Sequence, residues 1–349
     1  MKKFHKILCA VLALAMTASV GLGLTACKKN EEDAKPTIQV MAKGQTHAFW
    51  KSVKRGAEAA GEKYGYNIVF RGPKDETPNS IPEQKRLVSA AVSDTNTKAL
   101  VIATIGQGFG DYLKRAKEKN MPVVEFDSGI FDKAEIPDPS PVVSSVATSN
   151  KLAAKLAADE FYNSVIKAEL EKKAEYKVGV IQHDKSQTGL DRAGGFEEAL
   201  MAAAKKDGLE SYLKIEKEIK DNTSGAYKAG LDALQTKGCK AIFMSNEGVV
   251  KECYAAVTSN PNQYKDLLFC GFDAGTSQIN WAKDNGSKYA KLVGSVAQDS
   301  YNIGYKAVEQ AAFALDTEKT VESSVSIAGV WWNNSNVDQM IKDGFVYEG

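Results

Sequence analysis

The feature that most constrains this chain is an alternation that runs once and then starts again. From Pro36 onward, short β-rich runs take turns with segments of helical period, the pattern of a mostly parallel sheet covered by helices. The first set of candidate strands is "TIQVMA", "YNIVFRG", "ALVIATI", "PVVEFD" and "VVSSVAT". Between the first two, Phe49, Val53, Ala57, Ala60 and Tyr64 recur at helical spacing and predict one buried stripe. The second set opens with "YKVGVIQ" and continues through "LKIEKEI", "AIFMSN", "LLFCGFD" and "KLVGSVAQ". Two α/β lobes follow from this restart. The stretch after "KLVGSVAQ" holds a helix over 301–315, a further strand "SVSIAGVWW" and a last helical piece, too little for a third lobe.

The two sets echo each other in "FDSG" (Phe126 to Gly129) and "FDAG" (Phe272 to Gly275). Each puts an Asp at the carboxyl end of a strand, where open α/β sheets bind ligands. A pair of local helix N-caps would look the same.

The amino terminus reads as an export signal, with cationic "MKKFHK" before apolar "ILCAVLALAMTASVGLGLTA". A retained transmembrane anchor is the alternative, but Thr17, Ser19, Gly21 and Gly23 interrupt the run. Its ending, "LTAC" followed by "KKNEED", resembles the lipobox of bacterial lipoproteins, which implies lipidation of Cys27. Cleavage there removes Lys2, Lys3 and Lys6 from the 45 basic residues, leaving 42 against 44 acidic ones. No basic field for nucleic acid is implied. Cys239, Cys253 and Cys270 then form an odd trio that fits neither a disulfide framework nor a zinc site and reads as buried free thiols.

The run "ALVIATIGQGFGDYL" suggests a dinucleotide loop, since Gly106, Gly108 and Gly110 follow a strand and Asp127 closes the next one. The G-x-G-x-x-G fingerprint needs its third glycine where this chain has Asp111, and the loop follows the third strand, not the first. A tight strand-to-helix turn is the better reading, with Gln107 able to reach a ligand beside it. No G-x-S-x-G elbow, phosphate-binding lysine loop or H-E-x-x-H helix is present, and only His47 and His183 survive processing. No cofactor and no metal are expected.

Read together, "GQTHAFWKSVKRGAEAAGEKYGY", "VVEFDSG", "LDRAGGFEEAL", "FMSNEG", "GFDAG" and "VGSVAQDSYNIGYKAVE" resemble the sugar-binding branch of the type I periplasmic binding proteins, the ribose-binding-like receptors of ABC transporters. The resemblance covers nearly all of residues 37–349. It implies an α/β fold of two Rossmann-like lobes with parallel-sheet cores, joined by a three-segment hinge that closes over a sugar. Crossings are expected near 146–149, 298–300 and 327–330. The implied division is a lipoprotein signal peptide at 1–27, a tether at 28–36, an N-terminal lobe at 37–146 plus 299–327, and a C-terminal lobe at 147–298 plus 328–349.

The resemblance also implies ligand residues. Phe49 and Trp50 match the family's aromatic pair, which stacks on the apolar face of a sugar, and His47 precedes them where the ribose-binding pattern has an amide. Asp127, Asn246, Asp273 and Gln298 match its strand-end polar groups. Asn222 is a further candidate, although a turn role suits it equally. Two departures stand out: Ser128 occupies the position of an expected arginine, and the family's other ligand arginine falls on Leu190, leaving Arg192 two positions along. Either the helix begins late and Arg192 reaches the sugar, or that contact is missing.

The implied function is that of a lipid-anchored extracytoplasmic receptor on the outer face of the cell membrane. It is expected to be monomeric and to deliver a small sugar to ABC permease subunits without chemistry of its own. A sensory receptor for a sugar, nucleoside or signalling furanose is an alternative, as is a secreted α/β carbohydrate-active enzyme using Asp127 and Asp273 as an acid–base pair. A transcriptional repressor with these lobes would need a DNA-binding helix-turn-helix where this chain has its lipobox.

Overall fold

A computed structural model describes residues 35–220 and 225–346. The expected signal peptide with Cys27, most of the expected tether, and Asn222 lie outside the described residues. The β-rich runs form two six-stranded sheets. The first contains β1 (Thr37–Met41), β2 (Asn67–Arg71), β3 (Thr97–Ile102), β4 (Val123–Phe126), β5 (Val142–Thr148) and β11 (Ser324–Ile327), in the order β11-β5-β4-β3-β1-β2. The second contains β6 (Tyr176–Gln182), β7 (Leu213–Ile219), β8 (Ala241–Met244), β9 (Leu268–Phe272), β10 (Lys291–Gln298) and β12 (Gly329–Trp332), in the order β12-β10-β9-β8-β6-β7. The orders correspond strand for strand, and every pairing is parallel except β10 with β12.

Central strands such as β1 and β8 are buried along their whole length, whereas the edge strand β2 is half-exposed. Continuous apolar runs are what a sheet covered on both faces requires. The covering helices are α1 (Ala48–Tyr64), α2 (Ile81–Ser93), α3 (Gly110–Glu118), α4 (Asn150–Phe161), the short α5 (Lys167–Leu170), α6 (Gln187–Lys206), α7 (Ala226–Thr236), α8 (Glu247–Ser259), the short α9 (Pro261–Tyr264), α10 (Thr276–Asp284), α11 (Ser300–Ala314) and α12 (Val337–Lys342). The α1 stripe is buried at Phe49, Val53, Ala57 and Ala60 and packs on the first sheet beside Ile303, Ala307 and Ala311 of α11. Two glycines allow this approach. A Cβ on Gly56 would stand 1.9 Å from the Tyr301 carbonyl oxygen, and one on Gly304 would stand 2.0 Å from that of Val53.

Helix α11 follows a strand of the second sheet yet packs on the first, and α4 follows a strand of the first yet packs on the second. The chain thus passes between sheets after Thr148 and after Gln298. The third passage lies within the expected 327–330, but what reads as a single strand is corrected: "SVSIAGVWW" is two strands in two sheets, with only Ala328 between them. Periodicity cannot see such a break, because both halves keep β character. The passages bind one another, the Ser149 N–H donating to the Ile327 carbonyl at 2.9 Å and the Thr148 hydroxyl to Gln298 Oε1 at 2.9 Å.

Among the described residues no helix is long and apolar enough to cross a membrane. Cys239, Cys253 and Cys270 are buried free thiols, each pushed up by burial.

Candidate functional site

Strand ends from both sheets converge on a cavity of about 610 Å³. The first sheet supplies Lys43 after β1, Thr104 and Ile105 after β3, and Asp127 and Ser128 after β4. The second supplies His183 and Asp184 after β6, Asn246 after β8, Asp273 after β9 and Gln298 at the end of β10. Carboxyl ends of parallel strands are where such sheets leave a crevice.

Asp127 and Asp273 share an unusual backbone. Their φ angles are 55° and 73°, in the left-handed region that non-glycine residues avoid. Each N–H is tied to the next strand, Asp127 to the Val146 carbonyl at 3.0 Å and Asp273 to that of Val296 at 2.7 Å. The bond holds the turn that aims each carboxylate inward.

Around Asp273 the site is built in depth. One oxygen accepts from the Glu247 N–H at 3.0 Å and lies 3.5 Å from Arg192 Nη1; the other accepts from Gln298 Nε2. Burial raises the pKa of Asp273, with Arg192 working against it. Arg192 is itself buried, donating from Nε to Asn150 Oδ1 at 2.8 Å and from Nη1 to the Ser245 carbonyl at 3.2 Å. Its guanidinium lies 3.9 Å from the centre of the Phe272 ring, a cation–π contact. A buried ion pair is tolerated only when further hydrogen bonds complete it, and these supply that completion. Trp332 supports the same turn, its Nε1 donating to the Asp273 carbonyl at 3.2 Å.

Asp127 is held more simply, with Lys43 Nζ at 2.9 Å. Burial pulls the Lys43 pKa down, but Asp127 and Glu76 outweigh it and the value is raised. Glu76 lies 3.6 Å from Lys43 and accepts from Trp50 Nε1 at 2.7 Å.

His47 caps α1, its Nδ1 accepting from the Phe49 N–H at 3.2 Å, while Nε2 reaches Glu247 Oε2 across the cavity at 3.2 Å. The carboxylate of Glu247 raises the His47 pKa against burial. Burial would raise Glu247, but His47 and Lys251, the latter at 2.8 Å, hold its carboxyl below the ordinary range. A neutral imidazole with its proton on Nε2 satisfies both contacts.

Nine expected residues line this cavity: His47, Phe49, Trp50, Asp127, Ser128, Arg192, Asn246, Asp273 and Gln298. Asn246 also caps α8, its Oδ1 accepting from the Val249 N–H at 2.9 Å. On helix α6, which begins at Gln187, Arg192 is buried on the cavity side while Leu190 is exposed.

Lys43, Glu76, His183 and Glu247 line the cavity without having been singled out as ligand candidates. His183 follows β6 directly and Lys43 follows β1 by one residue, nearly the same signal that marked Asp127 and Asp273. His183 Nδ1 lies 2.7 Å from Ser245 Oγ, and burial together with Arg192 lowers its pKa to about 4.

The glycine loop is a turn with an internal anion. The carboxylate of Glu135 accepts from the N–H of Gly108 and from that of Phe109 at 2.6 Å, where a phosphate would sit in a dinucleotide loop. Gln107 turns to Asp132 at 3.1 Å and is not part of the cavity wall.

Comparison with known proteins agrees with this architecture. The periplasmic binding protein domain matches residues 38–319. The chain is 28% identical over 322 residues to the ribose import binding protein of Escherichia coli, covering 90% of this chain and 94% of that one. Among solved structures, a Brachyspira murdochii chain described as an ABC transporter, LacI family transcriptional regulator, superposes with a TM-score of 0.77 at 29% identity, covering 90% of this chain and all of that one. An ABC transporter solute binding protein from Agrobacterium vitis with bound D-fucose gives 0.66 at 26% identity, covering 89% and 100%.

The carbohydrate-active enzyme alternative falls here. Its supposed acid–base partner, Asp273, is held in place by Arg192, Glu247 and Gln298, and the relatives are binding proteins of a non-catalytic family. With two matched lobes, a cavity between strand ends and a family match over most of its length, the chain belongs to the periplasmic binding protein family, an extracytoplasmic group that binds solutes without catalysis.

Proposed function

We propose that this protein is the sugar-binding lipoprotein of an ABC importer, held at the membrane through Cys27 and the 28–36 tether. As a monomer it presents a loaded cleft to the permease. The N-terminal lobe is 37–146 plus 299–327 and the C-terminal lobe 147–298 plus 328–349, with closure about the three crossings. The observation that carries this reading is charge matching in the cavity. Asp127 faces Lys43, Asp273 faces Arg192, and Glu247 faces His47 and Lys251. With Asp127, Asp273 and Glu247 each paired inside the wall to Lys43, Arg192 and Lys251, and with Glu76 and Asp184 left as acceptors, the cavity suits a neutral ligand rich in hydroxyls.

In this reading Phe49 and Trp50 meet the apolar face of the sugar, and Asp127, Ser128, Arg192, Asn246, Asp273 and Gln298 meet its hydroxyls. His47 flanks one side, and Asn222 belongs to a segment proposed to face the cleft. The binding of D-fucose by the Agrobacterium vitis protein and the name of the Escherichia coli relative support a monosaccharide ring as the recognised unit.

A thermal-shift screen of the mature protein against ribose, fucose, galactose, glucose and a set of nucleosides tests this, since a ligand bound only to the folded state raises the melting temperature. A shift with at least one neutral sugar is expected. A shift with nucleosides alone would refute the sugar assignment.

A further inference from the structure

The main cavity does not end at His47 and Glu247. A second compartment of about 480 Å³ adjoins it on the outer side and shares His47, Trp50, Glu76, Glu247 and Lys251 as common walls. The His47–Glu247 contact therefore marks the junction of two spaces.

The outer space is furnished from both lobes. Thr46 and Asp75 come from the loops after β1 and β2, and Thr276 and Ser277 from the first turn of α10. The Ser277 hydroxyl and the Asp75 carboxylate, whose Oδ1 already accepts from Thr77 and Ser80, form a polar rim beside the buried indole of Trp50, Thr46 being turned to the Lys74 carbonyl. Two glycines keep the space open, one in each lobe. A Cβ on Gly44 would stand 3.0 Å from Trp50 Cδ1 and Nε1, and one on Gly275 would stand 2.5 Å from Glu247 Oε1. Side chains at these positions would crowd the junction from both sides.

A single pyranose ring has no use for two furnished compartments. We infer that the outer compartment is a second sugar subsite, so that the preferred ligand is a disaccharide, with one ring in the inner cavity and the other between Trp50 and α10. The glycosidic link passes the junction, where the Lys251 ammonium supplies a donor for its oxygen. This inference rests on the sugar-binding reading above and narrows it.

The test is isothermal titration of the mature protein with cellobiose, maltose, lactose and sucrose, compared with glucose, galactose, ribose and fucose. At least one disaccharide is expected to bind about tenfold or more tightly than either of its component sugars. Ser277→Trp, which fills the outer compartment from α10, should remove that advantage and leave monosaccharide affinity within about twofold. Lys74→Trp fills it from the other lobe and repeats the test, with the unliganded melting temperature as a folding control. Monosaccharides binding as tightly as any disaccharide would overturn the second subsite and leave the sugar reading standing. Unchanged disaccharide binding in both tryptophan variants would overturn it equally. Binding by none of these saccharides would overturn both readings.

Discussion

Asp127 and Asp273 occupy the same place in two copies of one design, and they do different work. Each ends the fourth strand of its repeat, each has a left-handed backbone, and each N–H bonds to the adjacent strand. The second-lobe acid is enclosed by Arg192, Gln298 and the Glu247 N–H, and rests on Trp332. The first-lobe acid has Lys43 alone as an ion-pair partner among the described residues. The comparison teaches that the repeated turn fixes where a carboxylate points, while neighbouring side chains decide how firmly it is held and how much of it is left for a ligand.

The sharpest way to break this comparison is to remove each acid in turn. Asp273→Ala leaves Arg192 buried without its carboxylate, which should cost about 3–5 kcal/mol of stability. It should also abolish the ligand-induced thermal shift; urea unfolding and the sugar screen measure the two effects, and an undisturbed response would contradict the site map. Asp127→Ala should cost less stability, about 1–2 kcal/mol, because Lys43 keeps Glu76 nearby. Its larger effect should fall on binding, with affinity reduced about tenfold to a hundredfold by titration calorimetry. Equal stability losses in the two variants would erase the proposed difference between the lobes.

His183 gives the comparison a dependence on pH. Its pKa is near 4 in the folded protein against 6.5 for an unperturbed imidazole. Between these values the unfolded chain binds more protons, so stability rises with pH across this window and is lost as pH falls through it. Asp273 works in the opposite direction, since its raised pKa lets the folded form keep a proton above 3.8, and its ionisation costs stability as pH rises. His183→Gln should therefore flatten or reverse the slope of the urea midpoint between about pH 4 and 6.5. A slope equal to that of the wild type would show that His183 does not carry it.

The smallest effect concerns the register of α6. Leu190→Ala, at an exposed position, should change stability by less than about 0.5 kcal/mol and leave sugar binding intact. A loss of binding in that variant would place the ligand on the wrong side of the helix.

Much of this was legible in the residues. Two rounds of strand and helix are written in periodicity, and "FDSG" and "FDAG" mark strand ends because a short polar residue after an apolar run must leave the sheet. The same logic extends to Lys43 after "TIQVMA" and to His183 after "YKVGVIQ", where position rather than residue type was the available signal. Other features were hidden for definite reasons. "SVSIAGVWW" keeps β character throughout and reads as one strand, so only the family resemblance, not periodicity, pointed to a crossing inside it. Glu247 sits next to the expected Asn246, but its partner His47 is 200 residues away in the chain.

The sequence by itself determined the elements, their order and the strand ends at which function would gather, because hydrophobic period and turn chemistry act over a few residues. Only the tertiary structure decided which charges meet. It placed Arg192 rather than Leu190 against Asp273, filled the glycine loop with the carboxylate of Glu135, and set His47 against Glu247 between two compartments. Such pairings join residues distant in the chain, and their energy depends on distance and burial that no local pattern records.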